Sequence, residues 1–146
     1  MIRQYKKADK PKVLELVRLN TPEFFHPSEE NDLNVYLENE LEEYFVFEEE
    51  GEIVGAGGLN YFPKEQSARI SWDVVSPEAH GKGIGSQLVQ FRIKQAFSRS
   101  EVRTLIVRTS QLAYKFYEKQ GFKLDEVKKD FWAEGYDLYL MSMSKS

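Results

Sequence analysis

Val74-Val75-Ser76-Pro77-Glu78-Ala79-His80-Gly81-Lys82-Gly83-Ile84-Gly85-Ser86 decides how this chain is read. An apolar, β-branched run stops at a turn, passes three glycines at alternate positions and opens into a helical pattern. Glycines let a backbone approach a ligand closely, and the amides at a helix start present donors and partial positive charge. The segment is therefore a place to hold phosphate oxygens. It fits neither of two common nucleotide loops. A dinucleotide fingerprint follows the first strand and carries an acidic residue about 20 positions on. Here the loop is mid-chain, and the downstream position falls at Leu105 in an apolar strand. A Walker loop needs Gly-Lys followed by Ser or Thr, whereas Lys82 precedes Gly83.

Outward from the loop, periodicity places the other elements. A strand over Ala68–Val75 precedes it, and Val89, Ile93, Ala96 and Phe97 line one face of the helix that follows. Thr104–Val107 reads as a short buried strand, and Leu112–Gln120 as a helix ended by Gly121. Upstream, Ile2–Tyr5 is a first strand, and Asp9 is the expected N-cap of a helix with Pro11 just inside it. Ser28 is the expected cap of a second helix carrying Leu33, Tyr36, Leu37 and Leu41. Tyr44–Phe47 and Ile53–Ala56 flank a turn at Gly51, and Phe122–Val127 and Tyr136–Met143 form a last pair around Ala133-Glu134-Gly135. The order β-α-α-β-β-β-α-β-α-β-β predicts a mixed α/β fold within one domain, residues 1–146. Its single, mostly antiparallel sheet should have six to seven strands, flanked by about four helices.

Composition bounds the chemistry. The chain has 146 residues, 41% hydrophobic and 14% aromatic, enough for its own core. It has no cysteine, which removes disulfides, thiolate metal sites and an acyl-cysteine intermediate. With two histidines, His26 and His80, no metal site is expected. Met1–Lys7 carries charge with no apolar segment after it, and no apolar run is long enough to span a bilayer, so the expectation is a cytoplasmic protein without membrane contact. The net charge of −4 hides an asymmetry: Glu23–Glu52 holds 12 of the 24 acidic residues and no Lys or Arg, leaving a net of +8 elsewhere. Most of that run fits solvated faces, but it also fits an acidic lobe facing a cationic acceptor while the basic remainder holds an anionic ligand. No nucleic-acid partner is expected, since no basic stripe exists.

A second segment, Thr109-Ser110-Gln111-Leu112-Ala113-Tyr114-Lys115-Phe116-Tyr117-Glu118-Lys119-Gln120-Gly121-Phe122, follows one helix and one strand later. Together the two segments resemble the GNAT N-acetyltransferase superfamily, and the resemblance covers nearly the whole chain. The family loop is written Gln/Arg-x-x-Gly-x-Gly/Ala, and His80-Gly81-Lys82-Gly83-Ile84-Gly85 keeps both required glycines with His80 at the Arg or Gln position. The resemblance implies acetyl-CoA as acetyl donor. Its pyrophosphate would lie on the amides of Gly81, Lys82, Gly83, Ile84, Gly85 and Ser86, and its pantetheine arm beside Asp73, Val74 and Val75 like an added strand. Lys82, Lys115 and Lys119 would be phosphate contacts or solvated lysines. Ser110 stands where relatives carry Asn.

By the same resemblance Tyr117 is the general acid that protonates the departing sulfur, and an amide at or next to Val75 stabilises the oxyanion. As residues alone, Leu112, Phe116 and Tyr117 equally suit a core face. The base stays open: the family's Glu positions fall on Arg69 and Leu105, neither a base. Asp73, by strand parity with Arg69 and Ser71, is either a base on the acceptor side or a structural carboxylate. Water leading to Glu23, Glu29 or His26 is another route. Phe131, Trp132 and Tyr136, with Phe24, Phe25 and His26, would wall the acceptor. The expected activity is acetyl transfer to a primary amine of a cationic small molecule, in a ternary complex. Alternatives are a protein or peptide amine, a catalytically silent acyl-CoA sensor, or an interaction protein using the acidic lobe. A homodimer is compatible with the family.

Overall fold

The two strands around Gly51 carry apolar side chains on both faces, and a strand buried on both faces belongs inside a sheet covered by helices. The computed structural model describes residues 1–145 and bears this out. Its elements are β1 (Ile2–Gln4), α1 (Lys10–Leu19), α2 (Glu29–Asn39), β2 (Glu43–Glu49), β3 (Glu52–Phe62), β4 (Ser67–Val75), α3 (Ile84–Phe97), β5 (Thr104–Thr109), α4 (Tyr114–Gln120), β6 (Lys123–Ala133) and β7 (Tyr136–Ser144). The seven strands form one sheet in the order β1-β2-β3-β4-β5-β7-β6. Every neighbouring pair is antiparallel except β4 and β5. This is the expected mixed, mostly antiparallel sheet with four helices.

Two core layers sandwich the sheet. Val13, Leu16, Val17, Leu33 and Tyr36 of α1 and α2 pack on Tyr44, Val46, Ala56 and Val74. Val89, Ala96 and Tyr117 of α3 and α4 pack on the other face, against Leu59, Ile70, Leu105, Val107 and Met141. The expected caps are used differently. Asp9 precedes α1, but its carboxylate accepts Arg3 Nη1 and Nη2 at 2.9 and 3.0 Å and the Lys6 amide at 2.7 Å, not an α1 amide. Ser28 precedes α2 with no cap bond from its side chain, its Oγ lying 2.8 Å from His26 Nδ1. At Asp9 a charged, longer-range partner takes the carboxylate from the helix, whereas the Ser28 hydroxyl lies against His26 Nδ1, which also accepts the Ser28 amide at 3.1 Å.

Two irregularities position the site. The parallel ladder runs only from Ser67↔Thr104 to Ile70↔Val107, while β4 continues to Val75 and β5 to Thr109, so the strand ends part and leave a gap. In β4, Gly58 pairs with Ser71 and Ala56 with Val74, so Trp72 and Asp73 together oppose Gly57. This is a β-bulge, and Trp72 occupies it at φ +50°. Such a backbone is strained for a bulky residue. It is pinned by the Tyr44 hydroxyl on the Trp72 carbonyl at 2.8 Å and by the Phe25 ring stacked 6.5 Å from the indole.

Candidate active site

A cavity of about 1120 Å³ opens along the β4–β5 gap, from the start of α3 at one end to α2 and the β3–β4 turn at the other. At the α3 end, Gly81 and Gly83 both sit at φ +81°, a backbone that glycine adopts without strain, and the space around their α-carbons is open. Gly83 is the N-cap of α3, so the first-turn amides of Ile84, Gly85 and Ser86 have no intrahelical acceptor. These residues line the cavity; Lys82 does not, whereas Lys119 does. Gly85 is small for another reason: a Cβ there would come within 3.2 Å of the Phe116 ring of α4. The Ser86 hydroxyl accepts the Gln120 side chain at 3.0 Å, which ties α3 to α4.

Further along, ladder alternation decides which backbone groups face the gap. Ser76 N–H donates to Val54 O at 2.8 Å, so Val74 also turns its polar groups to β3, while Val75 turns its own toward the gap. The Val75 carbonyl accepts Asn20 Nδ2 at 2.9 Å and the His80 ring at 3.0 Å. His80 therefore shapes the turn through Val75, with Phe24 edge-on to its ring at 5.6 Å. The Val74 side chain is in the α1–α2 core. The Ser110 hydroxyl accepts the Leu112 amide at 3.2 Å at the entry to α4, and Ser110 lines the cavity.

In the middle stands a buried polar unit. Tyr117 is 5% exposed, and its hydroxyl donates to Asp73 Oδ2. Asp73 Oδ1 accepts Arg92 Nη2. Arg92, 0% exposed, also donates from Nε to Leu88 O at 3.0 Å and from Nη1 to Gly58 O at 3.1 Å. Gly57 makes room for the pair, because a Cβ there would lie 2.3 Å from Asp73 Oδ1 and 2.6 Å from Arg92 Nη1. Burial pushes the Tyr117 phenol well above its ordinary pKa, and the Asp73 carboxylate adds to the shift. The parity expected for Asp73 is overturned: the bulge inserts one residue, so Ser71 and Trp72 both face α2 while Asp73 faces α3. With both oxygens engaged there, Asp73 is not a free base on the acceptor side.

The far end of the cavity is lined by Glu29, Asp32, Tyr36, Glu40 and Glu42 from α2 and the segment after it, and by Arg69, Ser71, Trp72, Arg108 and Trp132. Ser71 Oγ and the Tyr36 hydroxyl both donate to Asn60 Oδ1, forming a polar floor. Burial raises the Tyr36 phenol to about 12. It also raises the Glu29 carboxyl, against the lowering effect of the His26 amide that donates to Glu29 Oε2 at 2.7 Å. Of the expected acceptor residues, Phe24, Phe25 and Trp132 line the cavity. His26 and Phe131 do not: His26 packs edge-on against Tyr136 at 5.6 Å, and Phe131 against Trp132 at 5.1 Å. Sequence reasoning did not single out Arg92 or Arg108, and it considered Arg69 only as a base position; the structure buries Arg92 and places Arg69 and Arg108 in the cavity lining. The spacing Ile84, Leu88, Arg92, Ala96, four residues apart on a buried stripe, was the available signal for Arg92.

Comparison with known proteins places this geometry. The model of the acetyltransferase (GNAT) family matches residues 11–122. The chain is 26% identical to an amino-acid acetyltransferase of Neisseria meningitidis serogroup A, over 96% of this chain and 33% of that protein. The chain thus spans about a third of the length of that curated relative. Among solved structures, it is similar to an N-acetyltransferase from Staphylococcus aureus Mu50 at 27% identity and TM-score 0.76, covering 99% of this chain and 97% of that one. It also superposes on an aminoglycoside 6'-N-acetyltransferase complexed with coenzyme A at TM-score 0.78 and 19% identity, covering 99% and 96% of the two chains, a likeness of fold.

Proposed function

The chain belongs to the acetyltransferase (GNAT) family, and from that premise we propose that it transfers the acetyl group of acetyl-CoA to a primary amine by direct attack in a ternary complex. The observation that carries this reading is the parted β4–β5 ladder, which sets the Val75 amide, the α3 first-turn amides and Tyr117 around one cavity. The residues present fit the donor. Open, positive-φ glycines leave space for a pyrophosphate on the amides of Gly83, Ile84, Gly85 and Ser86. The gap edge of β4 offers N–H and C=O groups to an extended amide arm. The bound thioester supplies an activated acetyl carbon.

At that carbon the amine nitrogen forms a bond as the carbon–sulfur bond breaks. The Val75 N–H, facing the gap, donates to the oxygen on which negative charge develops. Tyr117 stays protonated throughout the physiological range because burial raises its pKa. Its hydrogen, held by Asp73 at rest, turns to the departing sulfur. Arg92 and Asp73 fix the phenol in place and are positioning residues. The chain has no cysteine to carry the acetyl group, which favours direct transfer. Glu29, lining the cavity with a raised carboxyl pKa, is suited to take the amine proton through water. The acidic run divides: Glu30, Glu38, Glu43 and Glu48 are tied to Arg18, Lys10, Arg99 and Arg3, whereas Glu29, Asp32, Glu40 and Glu42 face the cavity and suit an ammonium group.

Calorimetry with acetyl-CoA, followed by a thiol-release assay against an amine panel, tests the proposal. Tyr117→Phe should keep the acetyl-CoA Kd and lower kcat by about 10²- to 10⁴-fold. Absence of both heat and thermal shift with acetyl-CoA would overturn it, and binding without any turnover would leave an acyl-CoA sensor.

A further inference from the structure

Two arginines that the acetyl-transfer steps leave unused share one wall of the cavity. In the parallel register Arg69 of β4 lies opposite Ile106 of β5, and Arg108 is two residues further along β5. Both therefore project from the sheet face opposite the one that carries Ile70, Leu105 and Val107 into the α3–α4 core. Each guanidinium is braced on aromatic rings. Arg69 Cζ lies 4.6 Å from the Phe62 centroid, and Arg108 Cζ lies 5.2 Å from Phe131 and 5.3 Å from Trp132. Arg3, Arg18, Arg92 and Arg99 each pair with a carboxylate, but Arg69 and Arg108 pair with none among the described residues. Arg69 Nε is buried with no acceptor at all.

Such a pair is unfavourable by itself. A buried donor without an acceptor costs free energy, and two like charges brought together out of water repel. Burial, and then the neighbouring Arg69 charge, pull the Arg108 pKa below its ordinary value. An anion between the two guanidiniums would remove both penalties. The planar guanidinium fork matches a carboxylate, and rings stacked on its faces leave its N–H edges to do the binding. The same cavity is lined by Glu29, Asp32, Glu40 and Glu42, none of them in an ion pair with either arginine among the described residues. One cavity thus presents both cationic and anionic side chains, complementary to a zwitterion.

We infer that the acceptor is an amine that also carries a carboxylate, an amino acid and not a polyamine or other purely cationic amine, with Arg69 and Arg108 binding the carboxylate. The inference rests on the acetyltransferase reading and narrows the acceptor expected from the acidic run: the cavity carboxylates serve the amine, and the arginine pair serves the rest of the molecule.

The test is thiol release from acetyl-CoA with the twenty amino acids, each beside its carboxamide, and with spermidine. Acetyl-CoA binding is measured separately by calorimetry. At least one free acid should be acetylated with kcat/KM about tenfold or more above its amide. Arg69→Gln and Arg108→Gln should each raise KM for that acid about 10- to 100-fold, leave the KM of the amide within about twofold, and leave acetyl-CoA affinity unchanged. The Lys variants should recover part of the loss, and thermal melts of all variants establish that they are folded. If acetyl-CoA binds but amides or spermidine are the better acceptors, if no acid is acetylated, or if the Gln variants slow acid and amide equally, the inference is overturned. Failure to bind acetyl-CoA instead overturns the underlying acetyltransferase reading.

Discussion

Replacing Arg92 by Met should unfold this protein far more readily than its place in a helix suggests. The guanidinium is 0% exposed and holds three acceptors: Leu88 O, Gly58 O and Asp73 Oδ1. Its removal leaves the Asp73 carboxylate, whose side chain is 17% exposed, with only the Tyr117 hydroxyl against it. Breaking one side of a buried ion pair costs about 3–5 kcal/mol, because the remaining charge is uncompensated. For a domain of this size that corresponds to a fall in Tm of roughly 6–20 °C. Asp73→Asn should cost a similar amount by stranding the arginine. The double variant Arg92→Met/Asp73→Asn should recover most of the loss, since a buried pair replaced as a unit is often near neutral. Urea unfolding of the wild type, both single variants and the double variant closes the cycle. A single-variant loss under about 1 kcal/mol, or a double variant equal to the sum of the two, would refute the pair as a coupled buried unit.

The glycine loop and Glu29 give two further expectations. Gly83→Val forces a β-branched residue to φ +81° with no atom within 4 Å of the new Cβ, so folding should weaken by about 1–2 kcal/mol while acetyl-CoA affinity falls about tenfold or more. Calorimetry showing undiminished affinity in the folded variant would remove this loop from the phosphate site. Burial holds the Glu29 carboxyl above its ordinary value of 4.5, so the folded chain binds that proton more tightly than the unfolded chain. Its ionisation therefore opposes folding as pH rises from about 4.5 through the folded-state value. Glu29→Gln should match the wild type in stability near pH 4 and gain on it toward pH 7; a difference that is flat or reversed with pH counts against a buried, proton-holding Glu29.

Local chemistry explains what could be read from the chain by itself. A β-branched run entering alternate glycines needs only backbone geometry to become a strand, a positive-φ turn and a helix N-terminus, and Gly81, Gly83 and the start of α3 stand there. Periods of two and 3.6 residues located the four helices and six of the strands because each buries at least part of a face, whereas β6 is exposed along nearly its whole length and is marked by the turn at Ala133-Glu134-Gly135. The starts of α1 and α2 were placed, but the partners of Asp9 and Ser28 were not, because Arg3 takes the Asp9 carboxylate and the Ser28 hydroxyl turns to His26 Nδ1. Tertiary structure alone decided the polar centre. One extra residue at Trp72 reverses the parity of β4, sending Asp73 to Arg92 and Tyr117, and no periodicity reveals a bulge before its partner strand is known. Arg92 is charged yet fully buried because Gly57, 35 positions earlier, leaves room for it. Arg69 and Arg108 are ordinary strand residues in sequence. They become one anion-seeking wall only when β4 and β5 pair in parallel and the β6–β7 hairpin lays Phe131 and Trp132 against Arg108, contacts between segments too distant for any local pattern to register.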